Sequence, residues 1–311
     1  MGSLQAQANN MKEKTCVIIA GPTAVGKTAA AIEVARHFNT DIISADSRQC
    51  FKEMTIGVAK PSAGELQQVH HYFINSHSIH DDVNAAVFEQ YALQAVHEIF
   101  QQHDVAVVTG GTGLYIKAFC EGLDDMPPVS MAIREAITAQ YEQQGLTWLQ
   151  QQVQEQDPLY YATGEIQNPQ RLIRALEVKQ ATGTSIRTYQ QGKKATRPFR
   201  IIKLGLELPK PELHERINTR VNNMMEQGLL KEVEALLPYK QLNALQTVGY
   251  SELYEYLDGK ISLQQAVDQI KINTRHYAKR QMTWFRKDVA FQWFSPNAVN
   301  EMIDRVNELT S

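Results

Sequence analysis

The sequence predicts an α/β protein: a P-loop core built on a mainly parallel sheet flanked by helices, plus an all-helical insertion domain. Three observations carry that reading. Short β-branched runs alternate with helical patterns through the first 120 residues and return near residue 200, as in a parallel sheet covered on both faces. The first run leads directly into the glycine-rich GPTAVGKT at 21–28. Between about 122 and 198 the strand pattern vanishes, while Leu, Ile and Trp recur at helical spacing.

Residues 1–10 are polar and aperiodic and precede a second methionine, Met11, so a disordered extension is expected there. The catalytic core is expected over 11–121 and 199–311, with the insertion domain at 122–198. KTCVIIA, from Lys14, reads as the first strand, and AAAIEVARHF as the helix behind the glycine-rich loop. DIISAD (41–46) is a second strand, YFINSH (72–77) a candidate third, and VAVVTGG (105–111) a further one behind a helix over about 85–102. FRIIKLGLEL (199–208) reads as the last core strand. A helix over roughly 210–236, a long one over roughly 262–287, FQWF and a terminal helix complete the core. Within the insertion, Pro127-Pro128 breaks the chain, and MAIREAITAQYEQQ and LTWLQQQVQEQ read as helices. Asp157-Pro158 ends the second of these, and Asn168 caps a helix whose first position is Pro169.

At 311 residues the chain is about twice a common domain length. With 43% hydrophobic and 21% charged residues it is too apolar for disorder. No run approaches the roughly 18 apolar residues of a membrane span. Ala6 breaks the myristoylation pattern that Met-Gly begins, and no signal-peptide layout follows it. Three scattered cysteines suit neither a disulfide framework nor a zinc cluster. A cytoplasmic, monomeric protein with no membrane contact is expected. The net charge of −3 conceals two basic islands. Residues 191–203 carry Lys193, Lys194, Arg197, Arg200 and Lys203 with no acid, and residues 268–288 carry six cations against two acids. Charge alone leaves two readings open, solvated faces or a place where a polyanion docks.

Gly21, Pro22, Thr23, Ala24, Val25, Gly26, Lys27 and Thr28 fit the phosphate-loop pattern in its required context, after a strand and opening a helix. Backbone N–H groups there wrap a di- or triphosphate at a helix N-terminus, Lys27 adds a mobile charge, and the Thr28 hydroxyl suits Mg²⁺. A nucleotide hydrolase would also end a neighbouring strand in a metal-holding acid. The strand at 105–108 runs instead into Thr109-Gly110-Gly111-Thr112-Gly113, expected to let a substrate approach the backbone. The acid stands elsewhere, as Asp46 at the end of the second strand, to serve either as a turn cap or as a group in the crevice. His70, His71, His77 and His80 match no recognised metal-ligand spacing.

GPTAVGKT, DSRQ after the second strand, IGVAKP (56–61), GGTGLY (110–115), NPQRLIRALEV (168–178), TVGY (247–250) and KRQMTWFRK (279–287) stand in one order. In that order and rough spacing the chain resembles the tRNA dimethylallyltransferases, from about Lys14 to Phe294. One departure is Val25, where Ser is common; only a hydroxyl contact is lost. The resemblance implies dimethylallyl diphosphate as co-substrate, Mg²⁺, and transfer to N6 of the adenosine just 3′ of the anticodon. It implies Asp46, Thr28 and Arg220 as catalytic residues, with Thr28 on the metal and residues 21–28 on the diphosphate.

The same resemblance implies tRNA, through its anticodon stem-loop, as the partner. The implied contacts are Asp46, Ser47, Arg48, Gln49, Thr112 and Arg134. They continue with Pro169, Gln170, Arg171, Leu172 and Ile173, then Gln246, Thr247, Val248, Gly249, Tyr250 and Ser251. The last set is Lys279, Arg280, Gln281, Met282, Thr283, Trp284, Phe285 and Arg286, where cations suit phosphates and at least one ring belongs to packing. Arg216, four residues before Arg220, either reaches the same oxygens or pairs with Glu212 or Glu215. A free-nucleotide prenyltransferase or kinase would share the loop but not the insertion, and a non-catalytic RNA-binding NTPase would keep the basic islands.

Overall fold

The computed structural model describes residues 13–192 and 194–310. The expected extension at 1–10, with Met11, Lys12, Lys193 and Ser311, lies outside the described residues. The chain divides into two compact units, one made of residues up to Cys120 and from Thr196 onward, the other Glu121–Ala195.

In the first unit the elements are β1 (Thr15–Ala20), α1 (Lys27–His37), β2 (Ile42–Ser44), α2 (Ala63–Gln68), β3 (His71–Tyr72), α3 (Ala85–Ile99), β4 (Val105–Gly110) and α4 (Gly113–Glu121). The second unit holds α5 (Met131–Gln156), α6 (Pro158–Thr163), α7 (Pro169–Thr182) and α8 (Ile186–Tyr189). The chain then returns to the first unit as β5 (Arg200–Leu206), α9 (Lys210–Glu226), α10 (Leu229–Leu236), α11 (Tyr250–Leu257), α12 (Leu263–Phe285), β6 (Gln292–Phe294) and α13 (Val299–Thr310). Among the described residues the six strands form one sheet in the order β3-β2-β4-β1-β5-β6, and every pairing is parallel. β1 and β4 are buried along their whole length, which is why they read as unbroken apolar runs. The register aligns Ser44 and Ile19 with Thr109, so the turns after β2, β4 and β1 leave the sheet side by side at its carboxyl edge. Ligands in open parallel sheets gather at that edge.

In the second unit, Leu149, Val153, Leu172, Ile173 and Leu176 form a separate apolar core. The Asn168 side chain accepts from Arg171 N to cap α7, as its place before Pro169 predicts. A left-handed Gly145 (φ 76°) divides α5 into the two helices read from the sequence. Among the described residues no helix is long and apolar enough to cross a membrane.

The structure corrects four expectations. The strand expected at 72–77 has two residues, because Phe73 takes a left-handed φ of 63° and turns its ring into a cluster with Phe88, Tyr91 and Tyr115. The helix expected over 210–236 is two, broken where Gly228 turns left-handed at φ 101°. β5 is not the last core strand, since β6 pairs along its outer edge. Thr196, Arg197 and Pro198 belong with the core, where Arg197 donates to Phe119 O (2.7 Å), Ala118 O (2.8 Å) and Glu89 (2.6 Å).

Candidate active site

The phosphate loop owes its shape to two glycines. A Cβ on Gly21 would lie 2.6 Å from Leu206 O, and Gly26 caps α1 with φ 108°, a region side chains avoid. No side chain caps α1, so its first N–H groups are left for an anion. Two cations converge on the loop. Lys27 Nζ curls back to donate to Pro22 O at 2.8 Å. Burial first and then nearby Arg220 lower its pKa, Asp46 opposes both, and the result is about 7. Arg220, from α9, donates to Thr23 Oγ1 at 3.2 Å, and burial outweighs Asp46 in lowering its own pKa. Arg216 pairs with Glu212 (2.9 Å), one of the two partners the sequence offered, and also donates to Val25 O (3.3 Å). Val25 itself is buried, so it offers the loop only backbone.

Asp46 follows β2 and joins Lys27, Thr28, Arg220 and Tyr277 around one cavity of about 640 Å³. Its Oδ1 accepts from Arg48 N (2.9 Å) and Gln49 N (3.2 Å), capping the turn. Its Oδ2 has no hydrogen-bond partner among the described residues. Thr112 Oγ1 accepts from Ser47 N at 3.1 Å, fixing this turn to the one after β4. Tyr277 is a residue sequence reasoning missed. Burial and then Asp46 push its pKa up to about 12, against the opposing influence of the Thr112 side chain. Standing four residues before Gln281, it shares that residue's helix face, a spacing that marks it in retrospect.

The glycines after β4 let side chains of α12 approach closely, and Gly111 also lines the cavity. A Cβ on Gly111 would sit 2.2 Å from Gln281 Nε2, and one on Gly113 2.2 Å from Trp284 Cδ1. Gln281 donates to Gly111 O (2.9 Å) and accepts from Thr23 N (2.8 Å), tying the β4 turn to the phosphate loop. Gln281 is thus buried with both amide atoms bonded, and it lines the cavity as Gly111 does. Phe285 is equally inward, packed on Phe291. Lys279, Arg280, Thr283, Trp284 and Arg286 stay exposed, and Met282 is half-buried. Arg286 pairs with Glu207 at 2.9 Å.

Further corrections follow from burial. Tyr250 is fully buried and donates to Glu232 at 2.5 Å, while Leu172 and Ile173 line the core of the second unit. None of the three side chains is free to meet RNA. Gly249 is buried as well. Gln246 is exposed, and Thr247, Val248 and Ser251 are half-buried, with the Ser251 hydroxyl on Thr247 O. In the second unit Gln170 and Arg171 are exposed, Pro169 is half-buried, and exposed Arg134 lies 3.5 Å from the buried Glu177 that Arg174 also pairs. Of the first basic island, Lys194, Arg197, Arg200 and Lys203 pair with Glu121, Glu89, Glu13 and Asp288. Each described cation of that island therefore has an acidic partner. Among the histidines, His71 is buried with Nδ1 on Val69 O, and His77 stands beside Ser76.

Comparison with known proteins agrees with this geometry. Residues 49–288 match the family model described as IPP transferase. The chain is 50% identical over 276 residues to the tRNA dimethylallyltransferase of Christiangramia forsetii, covering 89% of this chain and 91% of that protein. It is 44% identical over 289 residues to that of Cytophaga hutchinsonii, covering 93% and 95%. The solved full-length tRNA isopentenylpyrophosphate transferase from Bacillus halodurans superimposes with a TM-score of 0.70 at 33% identity, covering 96% of each chain. Fold, loop and relatives converge: the chain belongs to the IPP transferase family, which includes the tRNA dimethylallyltransferases.

Proposed function

We propose that this transferase moves a dimethylallyl group from dimethylallyl diphosphate to the exocyclic N6 of the adenosine immediately 3′ of the anticodon in tRNA, releasing diphosphate. One observation carries the reading. A phosphate loop with two cations and a carboxylate with an unoccupied oxygen share a single cavity, and β4 ends in glycines rather than a hydrolase's acid. The loop then holds a leaving group, not a transferable γ-phosphate.

In the reaction the C1–O bond of the donor breaks and its electron pair leaves with the diphosphate. Loop N–H groups, Lys27 and Arg220 stabilise the charge that grows there, and they are already in position before it forms. N6 bonds to C1 and gives up a proton. The adenine amine is a poor nucleophile because its lone pair is shared with the ring, so a carboxylate must accept that proton. Asp46 Oδ2 does so, while Oδ1 stays fixed by the turn. The base reaches the cavity only when flipped from its stack. Mg²⁺ fits the same place: Thr28 lines the cavity, its hydroxyl makes no hydrogen bond among the described residues, and Mg²⁺ keeps few protein oxygens beside substrate phosphates and water. Bound there on Thr28, it would neutralise diphosphate charge. The exposed cations of α12, Arg48, and Gln170 and Arg171 of the second unit are assigned to the RNA. One cytoplasmic copy of the chain supplies every group named.

The test incubates the protein with Mg²⁺ and labelled dimethylallyl diphosphate, offering tRNA, AMP or buffer. Label is expected in tRNA only. Label in AMP, or an absolute requirement for ATP, overturns the reading.

A further inference from the structure

We propose that Glu232 is a positioning residue that fixes the wall of the donor cavity and so sets the prenyl length it accepts. The inference rests on the reading above that this cavity holds the prenyl diphosphate. The wall is the segment 55–60, which supplies Ile56, Val58 and Ala59 to the cavity, with Met224 of α9 as a further apolar group. The segment belongs to no helix or strand. It closes on itself through Ala59 N to Ile56 O (3.0 Å) and Lys60 N to Thr55 O (3.2 Å). Gln49 holds its inner side, donating to Val58 O (3.3 Å) and Ala59 O (3.0 Å).

Its outer side is held by charge. Three successive N–H groups, of Thr55, Ile56 and Gly57, reach one carboxylate, Glu232, at 3.1, 2.8 and 3.0 Å. The Tyr250 hydroxyl adds a fourth donor to the same group at 2.5 Å. Consecutive N–H groups aimed at one point form a nest that elsewhere binds phosphate or sulfate. Here the chain supplies its own anion, from α10, and Glu232 forms no ion pair among the described residues. The Tyr250 ring closes the arrangement, since a Cβ on Gly57 would stand 2.5 Å from it. Glu232 does not line the cavity. It acts only through the wall. With the diphosphate fixed at the loop, a wall that cannot recede stops a second isoprene unit.

Glu232→Gln is the informative change. A Gln keeps one oxygen, which satisfies Thr55 and Ile56. Its amide faces Tyr250, whose hydroxyl reverses to accept, and the Gly57 N–H loses its partner. The wall then loosens while α10 and the fold remain. Titration calorimetry with dimethylallyl and geranyl diphosphate reads the effect without tRNA. The geranyl-to-dimethylallyl ratio of Kd values is expected to fall about tenfold, roughly what one methylene to a few methylenes decide in an apolar pocket. Glu232→Asp keeps the charge but draws the carboxylate back by one methylene from the four donors it holds. It should lower the ratio less, by about threefold, and gives the readout if the Gln variant fails to fold. tRNA affinity should stay within about twofold, against which a general loss of structure is recognised. An unchanged ratio in both variants, or an equal loss of tRNA affinity, overturns the proposal, as does a parent protein that binds neither diphosphate. A parent that binds the donor but labels no tRNA overturns the proposed function and leaves the clamp to be judged on its own data.

Discussion

Lys27 spends its ammonium on Pro22 O, its own loop, in the company of Arg220. Its pKa of about 7 lies below the ordinary lysine value of 10.5. Between those two values the unfolded chain holds a proton that the native one lacks, so the stability of the unliganded protein rises with pH across that window. A bound diphosphate reverses the balance by restoring the ammonium. Donor binding at pH 8 is therefore expected to take up close to one proton, and donor affinity to fall as pH rises above 7. Calorimetry in buffers of different ionisation enthalpy measures the uptake, and equal uptake in Lys27→Met would assign it to another group. At Asp46 the two oxygens separate structure from chemistry. Asp46→Asn keeps an acceptor for Arg48 N and Gln49 N but no base, so kcat should fall by about 10² to 10⁴ with tRNA and donor still bound. Turnover within about threefold of the parent would mean that Asp46 is not the base.

α12 is an element with two jobs, and its sequence shows only one of them. Tyr277, Gln281 and Phe285 recur every fourth residue and face inward, while Lys279, Arg280 and Trp284 face out. The motif reads as an RNA-contact string because its cations are local, but Gln281 binds Gly111 across 170 residues, a partner no spacing reveals. The same distinction runs through the chain. The phosphate loop and Asp46 were legible because strand, turn and helix lie within thirty residues. The first basic island could not show its partners, because Glu89, Glu13 and Asp288 reach it from remote positions. The break at Gly228 was hidden by apolar residues that keep their period on either side. If Lys279 and Arg280 meet tRNA phosphates, neutralising either should shrink the slope of log K against log[salt] by about 0.7 to 0.9. Arg286, already paired with Glu207, should shrink it less. The donor KM should not move. Arg36, in the last turn of α1, is the control, and an equal change there would make the attraction a diffuse field.

Across the whole molecule, the second unit interrupts the first at two points that the first unit holds together by itself. Arg197 donates to Phe119 O at 2.7 Å, and the Phe119 and Phe199 rings stack at 5.7 Å. Every strand, the phosphate loop, Asp46 and the cavity belong to the first unit, and each unit has its own apolar core. A core that closes without the interruption should fold without it. Replacing 121–195 by a short Gly/Ser linker is therefore expected to leave a protein that unfolds in one cooperative step, with a denaturant slope reduced in proportion to the surface removed. It should bind dimethylallyl diphosphate within about threefold of the parent, since the donor's contacts are intact. It should fail to modify tRNA, having lost Arg134 and the 169–173 segment. A broad, non-cooperative transition would show that the second unit stabilises the first after all, and full activity on tRNA would remove the second unit from RNA recognition.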